Sequence, residues 1–341
     1  MTAPRPRRFA LRGICVIGGI AIVLTLVLLW RTQQPIDVAP QRTFNTGTNA
    51  AWLGVEWVNE HHESDEIAAL GQDLARLDIT DVYVFTTYLK ASGEFNSTYS
   101  HAAEFVETIK TAQPGLNVYA WIGLPLAESQ PRPGSAYTVV LGDAATRGKI
   151  VALCRELVHV YGFDGVHLDP EPVMDGDPDL LTLLEELREA MRGEGSLSVA
   201  TRRIWPFSPR VPLLLAGRYF WSHAYYGQMA EYVDQVAVMV YDSALPLQGL
   251  YRKWVQHQVV SITQALKGAD VDVFIGVPTS EEKTWTHWPR AENMTSGLEG
   301  IIAGLGDKRA EQAVFTGVAV YPYWETDPEE WATYQSLWLG R

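Results

Sequence analysis

The sequence predicts an α/β protein: a closed (β/α)8 TIM barrel preceded by a single N-terminal transmembrane helix. Three observations carry that expectation. Strand-like and helix-like segments alternate eight times to the end of the chain. Such alternation implies a parallel sheet covered by helices, and eight units over about 290 residues suit a closed barrel. Residues 13–30 form a stretch of eighteen without a charge. Finally, residues 163–172, FDGVHLDPEP, place ionisable side chains at every second position of the fourth strand.

The chain opens on a basic tail, residues 1–12, with Arg5, Arg7, Arg8 and Arg12 and no acid. The uncharged segment 13–30 is near the minimum length for a helix to span a bilayer. Arginines before it place the N-terminus in the cytoplasm and the rest of the chain outside. The rival is a cleaved signal peptide, which needs a shorter apolar region and small residues before the cut. Here LLWRTQQP follows, which favours an uncleaved signal anchor in the cell membrane. Residues 31–48, rich in Gln, Pro, Thr and Asn, read as a linker. Residues 49–341 show no further boundary and form the barrel.

Within the barrel, each strand candidate precedes an amphipathic stretch. Strand 52–58 leads to helix 65–77, strand 81–87 to 102–111, and strand 116–124 to 144–161. Strand 165–171 leads to 178–191, and strand 196–201 to 226–233. Strand 235–241 leads to 251–266, strand 271–278 to 296–304, and strand 315–321 to 329–337. An open doubly wound sheet would need a phosphate loop or a switch-point site for a nucleotide. No GxGxxG follows any of these strands, and no GxxxxGK[ST] occurs.

Composition narrows the classes. Hydrophobic residues make up 47%, enough for a full core. Beyond residue 31 the chain holds 22 basic and 40 acidic residues, a net charge of −18. An acidic ectodomain repels nucleic acid and anionic polymers, and favours neutral or cationic ligands. Acidity for solubility is the plainer account. Cys154 alone remains beyond the membrane segment, so it reads as a buried thiol without a disulfide partner. No zinc-ligand spacing appears, and no cofactor or metal is expected.

The segment 163–172 is the most informative. Side chains two apart on a strand share a face. His167, Asp169 and Glu171 therefore share one, and Val166, Leu168 and Pro170 take the other. Burying a row of ionisable groups is costly unless they are paired or used. A structural ion-pair network is one reading; a catalytic face at a strand's C-terminal end is the other.

FDGVHLDPEP resembles the active-site signature of family 18 glycoside hydrolases, Asp-Gly-x-Asp-x-Asp-x-Glu. Asp164 and Gly165 match its start, and Asp169 and Glu171 its last two acids. His167 replaces the first aspartate of the triplet, and Pro170 the usual aromatic. VMVYDS, residues 238–243, matches the family's sixth-strand Met-x-Tyr-Asp motif. YAWIGLP, LSVA, IGVPT and GVAVYPYWE resemble the third, fifth, seventh and eighth strands.

The resemblance implies a retaining hydrolysis in which the sugar's own 2-acetamido oxygen attacks the anomeric carbon. It implies Glu171 as the acid that protonates the leaving oxygen. Asp169 would orient the acetamido group, Tyr241 would hydrogen-bond its oxygen, and Asp242 would line the same pocket. Trp324 would stack beneath a pyranose ring. Trp121, Trp57 and Glu56 stand at expected strand ends and are further substrate-binding candidates. Glu325, with Asp242, is a candidate nucleophile should the acetamido group not serve. A histidine at 167 would donate to Asp169, carry positive charge and hold Asp169 ionised. Each aromatic or acid here could instead be core or a turn cap.

The expectation is thus a membrane-anchored, outward-facing glycoside hydrolase acting on β-linked N-acetylhexosamine glycans. Its partners would be a glycan and the membrane, with no nucleic acid and oligomeric state left open. A non-catalytic carbohydrate-binding or assembly protein on the same scaffold is the alternative, which the retained Glu171 disfavours.

Overall fold

Eight parallel strands close on one another in chain order. They are β1 (Asn49–Leu53), β2 (Ile79–Tyr88), β3 (Asn117–Pro125), β4 (Gly165–Glu171), β5 (Ser196–Thr201), β6 (Gln235–Val238), β7 (Asp272–Pro278) and β8 (Phe315–Tyr321). Helices cover the outside: α1 (Glu56–Asn59), α2 (Ser64–Arg76), α3 (Ala102–Ala112), α4 (Ala144–His159), α5 (Pro178–Ala190), α6 (His223–Ala230), α7 (Gln248–Ala265), α8 (Met294–Leu305) and α9 (Pro328–Thr333). This computed structural model describes residues 44–127, 138–206 and 220–341. Among them no helix is long and apolar enough to cross a membrane. The expected anchor at 13–30, the basic tail and most of the linker lie outside the described residues.

Closure is made where β1 meets β8, with Ala50 opposite Ala319 and Ala51 opposite Val320. Glycine is required at that seam. A Cβ on Gly317 would stand 1.9 Å from the Thr48 carbonyl oxygen. Each strand carries two sets of side chains because successive residues face opposite ways. The outward set, such as Val82, Val84, Val166 and Leu168, joins the helices in one continuous aliphatic core. Helix caps fix where that outer layer starts. Asp143 accepts from Ala145 and Thr146 N–H, and Asp327 with Glu330 forms a capping box.

The inward set is aromatic and polar. Trp52, Tyr83, Tyr119, Trp121 and Phe274 fill the barrel with three alanines. Polar groups among them are hydrogen-bonded in a chain. Trp52 Nε1 donates to His167 Nε2 (3.2 Å), and His167 Nδ1 meets Ser198 Oγ (2.8 Å). Ser198 and the Tyr83 hydroxyl both donate to Gln235 Oε1, and Gln235 Nε2 donates to Asp81. Buried polar groups stay affordable only when paired in this way. Cys154 is a free, fully buried thiol in α4, and burial pushes its pKa up.

Among the differences from the sequence-based expectation, three are instructive. The first strand ends at Leu53, and Glu56–Asn59 is helical rather than part of a strand. Gly54 marks the change, because a Cβ there would collide with the Glu56 carboxylate (2.1 Å). The sixth strand ends at Val238, so Tyr241 and Asp242 lie beyond it. Asp242 (φ 55°) and Ala244 (φ 60°) adopt left-handed backbone there and turn the chain. Helix α6 starts three residues early, because Ser222 caps it by accepting from the Tyr225 N–H.

Candidate active site

The chemistry gathers at the C-terminal ends of the strands. A cleft of about 590 Å³, including space open to solvent, is lined there by Asp169, Glu171, Tyr241, Asp242, Trp121 and Tyr321. Trp52, Ala200, Arg202, Arg203 and Met239 complete its wall.

Strand β4 delivers the acids. Its start is clamped by Asp164, whose carboxylate accepts from the Val118 N–H (2.9 Å) and pairs with Lys110. Gly165 then passes so close to β5 that a Cβ would lie 2.2 Å from the Ser196 carbonyl oxygen. With the strand held at this end, alternation sends His167, Asp169 and Glu171 inward at successive heights.

The three have different surroundings. His167 is fully buried, stacked on Tyr83 with 3.8 Å between ring centroids. Trp52 donates to its Nε2, so the proton sits on Nδ1 and points at Ser198. Burial lowers its pKa to about 3. It is therefore neutral and makes no hydrogen bond to Asp169. This corrects the expectation of a charged, Asp169-donating histidine: both ring nitrogens are spent inside the barrel.

Asp169 accepts from Trp121 Nε1 through Oδ2 (3.2 Å). Its Oδ1 is buried and has no hydrogen-bond partner among the described residues. Burial, and then the negative charge of Glu171, push its pKa up, against the Trp121 hydrogen bond and Arg202. That is opposite to the ionised state expected from His167. Glu171 projects further into the cleft, with Oε1 3.4 Å from Arg202 Nη2.

Tyr241 lies parallel to Tyr321, with centroids 5.1 Å apart and an interplanar angle of 9°. Burial holds its phenol well above the usual range, followed by Tyr321 and Asp169. It is thus a neutral donor, and among the described residues its hydroxyl has no hydrogen-bond partner.

Asp242 is held from behind. Arg203 donates to the carbonyls of Tyr241 and Asp242. His287 Nδ1 lies 3.5 Å from Asp242 Oδ1 and 3.3 Å from Oε2 of the fully buried Glu292. His287 Nε2 donates to the Ser280 carbonyl (2.9 Å). Burial opposes the imidazolium, but Asp242, Glu292 and Ser280 outweigh it and raise its pKa to about 10. Glu292 Oε1 also accepts from Ser243 N–H and Oγ–H, which fastens the turn carrying Asp242.

The remaining sequence candidates lie outside the cleft wall. Trp57 stacks on His62 (4.6 Å) and leans on Phe105, so it packs α1 against α3. Glu56 opens α1, and its carbonyl accepts from His62. Glu325 Oε2 accepts from the Glu281 N–H, tying two loops together. Trp324 is 46% exposed and meets Tyr321 edge-on at 6.1 Å. The aromatic wall is instead Trp52, Trp121, Tyr241 and Tyr321.

Sequence reasoning missed Trp52, Tyr321, the two arginines, His287 and Glu292. The arginines had a local signal. Ala200 and Arg202 continue the alternation of β5, so both face the cleft. His287 and Glu292 have none, lying 45 and 50 residues after Asp242 in a loop without a strand pattern.

Comparison with known proteins bears on the family and the fold. The sequence model of the glycosyl hydrolases family 18 matches residues 61–337. No curated protein matches the chain. Among solved structures, it resembles the spore cortex-lytic enzyme SleL of Bacillus cereus (TM-score 0.58, 13% identity, covering 85% of this chain and 74% of that one). It also resembles a class V chitinase from Pseudomonas fluorescens (0.56, 15%, 85% and 98%). A Group IV chitinase from Ostrinia furnacalis is similar (0.56, 15%, 85% and 99%). At such identities the likeness speaks to the fold.

Proposed function

Because the chain belongs to glycosyl hydrolases family 18, we propose that it cleaves β-linked N-acetylhexosamine glycans by substrate-assisted, retaining hydrolysis. One observation carries this reading. The cleft offers a buried acceptor, Asp169 Oδ1, and a donor, the Tyr241 hydroxyl, neither hydrogen-bonded among the described residues. An acetamido group presents the complement, one N–H and one carbonyl oxygen. An unsatisfied buried polar atom is costly, so a ligand that satisfies it binds there with selectivity.

The steps follow from those contacts. Tyr241 donates to the acetamido oxygen and aims it at the anomeric carbon. Glu171 protonates the leaving oxygen as that bond breaks. The acetamido oxygen bonds to the anomeric carbon, and the nitrogen gains positive charge. Asp169, accepting its N–H, meets that charge. The negative charge of Glu171 adds to burial in raising the Asp169 pKa; a proton on Glu171, the form the reaction needs, lifts that repulsion and lets Asp169 be the anion. Water then opens the cyclised intermediate, with Glu171 taking the proton back. His167 stays outside this exchange.

Residues 13–30 supply the anchor in this reading and set the barrel outside the cell. The chemistry is tested with Glu171→Gln. The amide keeps the shape but transfers no proton, so turnover of an N-acetylglucosamine oligomer falls by about 10²–10⁴-fold, with sugar affinity retained. Wild-type cleavage of 2-hydroxy analogues at the same rate would remove substrate assistance. Binding without cleavage of any glycan would leave a carbohydrate-binding barrel.

A further inference from the structure

Arg202 and Arg203 leave the end of β5 together but have different surroundings. Arg203 is spent on structure, donating to the Tyr241 and Asp242 carbonyls. Arg202 lines the cleft with its side chain 14% exposed, yet makes no hydrogen bond among the described residues. Its Nε is buried without an acceptor among the described residues. Among the described residues its one ion pair is with Glu171 Oε1 at 3.4 Å, longer than the 2.7–2.9 Å of a good charge-assisted hydrogen bond. A guanidinium has five N–H donors in a planar fork, and that fork matches a carboxylate in two parallel bonds.

The charge around it leaves room for an anion. Asp242 and Glu292 are balanced by the His287 imidazolium and the neighbouring Arg203. A proton on Glu171, needed for the reaction, leaves the negative charge of the acid pair on Asp169, which accepts from Trp121 and makes no hydrogen bond to Arg202. The working cleft therefore holds an under-used cation, although the chain beyond residue 31 carries a net charge of −18.

We propose that Arg202 binds a carboxylate on the glycan, so that the preferred substrate is an N-acetylhexosamine polymer carrying acidic groups. This rests on the hydrolase reading above and specifies its substrate class. Two sources share the chemistry: a carboxylate-ended ether on the hexosamine itself, or a neighbouring uronic acid.

The test compares oligomers of equal length. One alternates N-acetylglucosamine with N-acetylmuramic acid, one alternates it with glucuronic acid, and each has a methyl-ester counterpart. In the wild type, the free acid of one series is expected to exceed its ester in kcat/KM by about 10- to 100-fold. Whichever series shows the preference identifies the source. Arg202→Met should bring the acid-to-ester ratio close to one, and Arg202→Lys should restore part of it. The side chain makes no hydrogen bond within the described fold, so both variants should melt near the wild type. A ratio near one in the wild type for both series overturns the proposal. So does an equal loss on acid and ester in Arg202→Met, which would assign Arg202 to Glu171 alone. If no glycan is cleaved, the same acid-to-ester ratio is read from dissociation constants by calorimetry. A failed hydrolase reading and a failed carboxylate site thus give different results.

Discussion

His167 shows how one residue changes meaning with its neighbours. On paper it is a cation beside Asp169. In the barrel it is a neutral link between Trp52 and Ser198. Its pKa, near 3 against an ordinary 6.5, makes acid sensitivity an expected property. The unfolded chain takes up a proton below pH 6.5 that the folded site refuses, so stability declines as pH falls from about 6.5 towards 3. His287 has the opposite sign. Its pKa is raised from 6.5 to about 10, so its contribution is full below pH 6.5 and is lost as pH rises towards 10. Denaturant melts across this range should show His167→Leu with a flatter acid limb and His287→Gln with a flatter alkaline limb. His167→Leu also strands the Trp52 N–H, at a cost of about 1–3 kcal/mol. An unchanged acid limb in that variant would show that His167 is not the group responsible.

Tyr241 gives the residue-scale test of the chemistry. Its hydroxyl bonds to nothing in the described protein, so Tyr241→Phe should leave the melting temperature nearly unchanged. Turnover should fall about 10²-fold, the order seen when one donor to a developing charge is removed. Loss of folding instead would make Tyr241 a core residue.

At the scale of elements, β4 is the part on which the site depends. It is held at its base by the Asp164 clamp and by Gly165 against the Ser196 carbonyl. Gly165→Ala forces those backbones apart, because a methyl at 2.2 Å from a carbonyl oxygen has nowhere to go. The cost of overpacking is about 1–3 kcal/mol or more. The displacement travels along the strand to Asp169 and Glu171, so activity should drop further than the population of folded protein does. Circular dichroism melts and kcat measured together separate the two effects. The same clamp recurs at β6, where Asp234 accepts from the Leu197 N–H and from Arg188. Here a carboxylate replaces part of the ladder that a strand end leaves unpaired.

At the scale of the molecule, net charge and site charge diverge. A strongly negative chain would be expected to exclude anions, yet two arginines line the cleft and an imidazolium stands behind Asp242. Whole-chain charge governs solubility and encounter; recognition is set by the few groups within a Debye length, about 8 Å at physiological salt. Location is the other whole-molecule question. The expected result is that the mature protein fractionates with membranes and retains residues 13–30, with its barrel open to external protease. A soluble secreted form beginning after residue 31 would remove the anchor.

Much of this protein was written in local pattern. The order of the eight strands, the bounds of β4, β5 and β8, and the inward face of β4 follow from period-two alternation and glycine placement, which act over a few residues. Alternation likewise puts Asp169 and Glu171 on one face, whereas Tyr241 and Asp242 were singled out only by the resemblance of residues 238–243 to a family motif. Tertiary structure alone decided which groups meet across the barrel. Closure brings Trp52 of β1 against His167 of β4, and so turns an expected cation into a neutral core group. It sets Arg202 of β5 beside Glu171, and the loop after β7 returns His287 and Glu292 to Asp242. It also leaves Trp57, Glu56, Trp324 and Glu325 outside the cleft. Those meetings depend on strand register, on barrel closure and on loop paths, which are set by packing over the whole chain and leave no local periodicity to read.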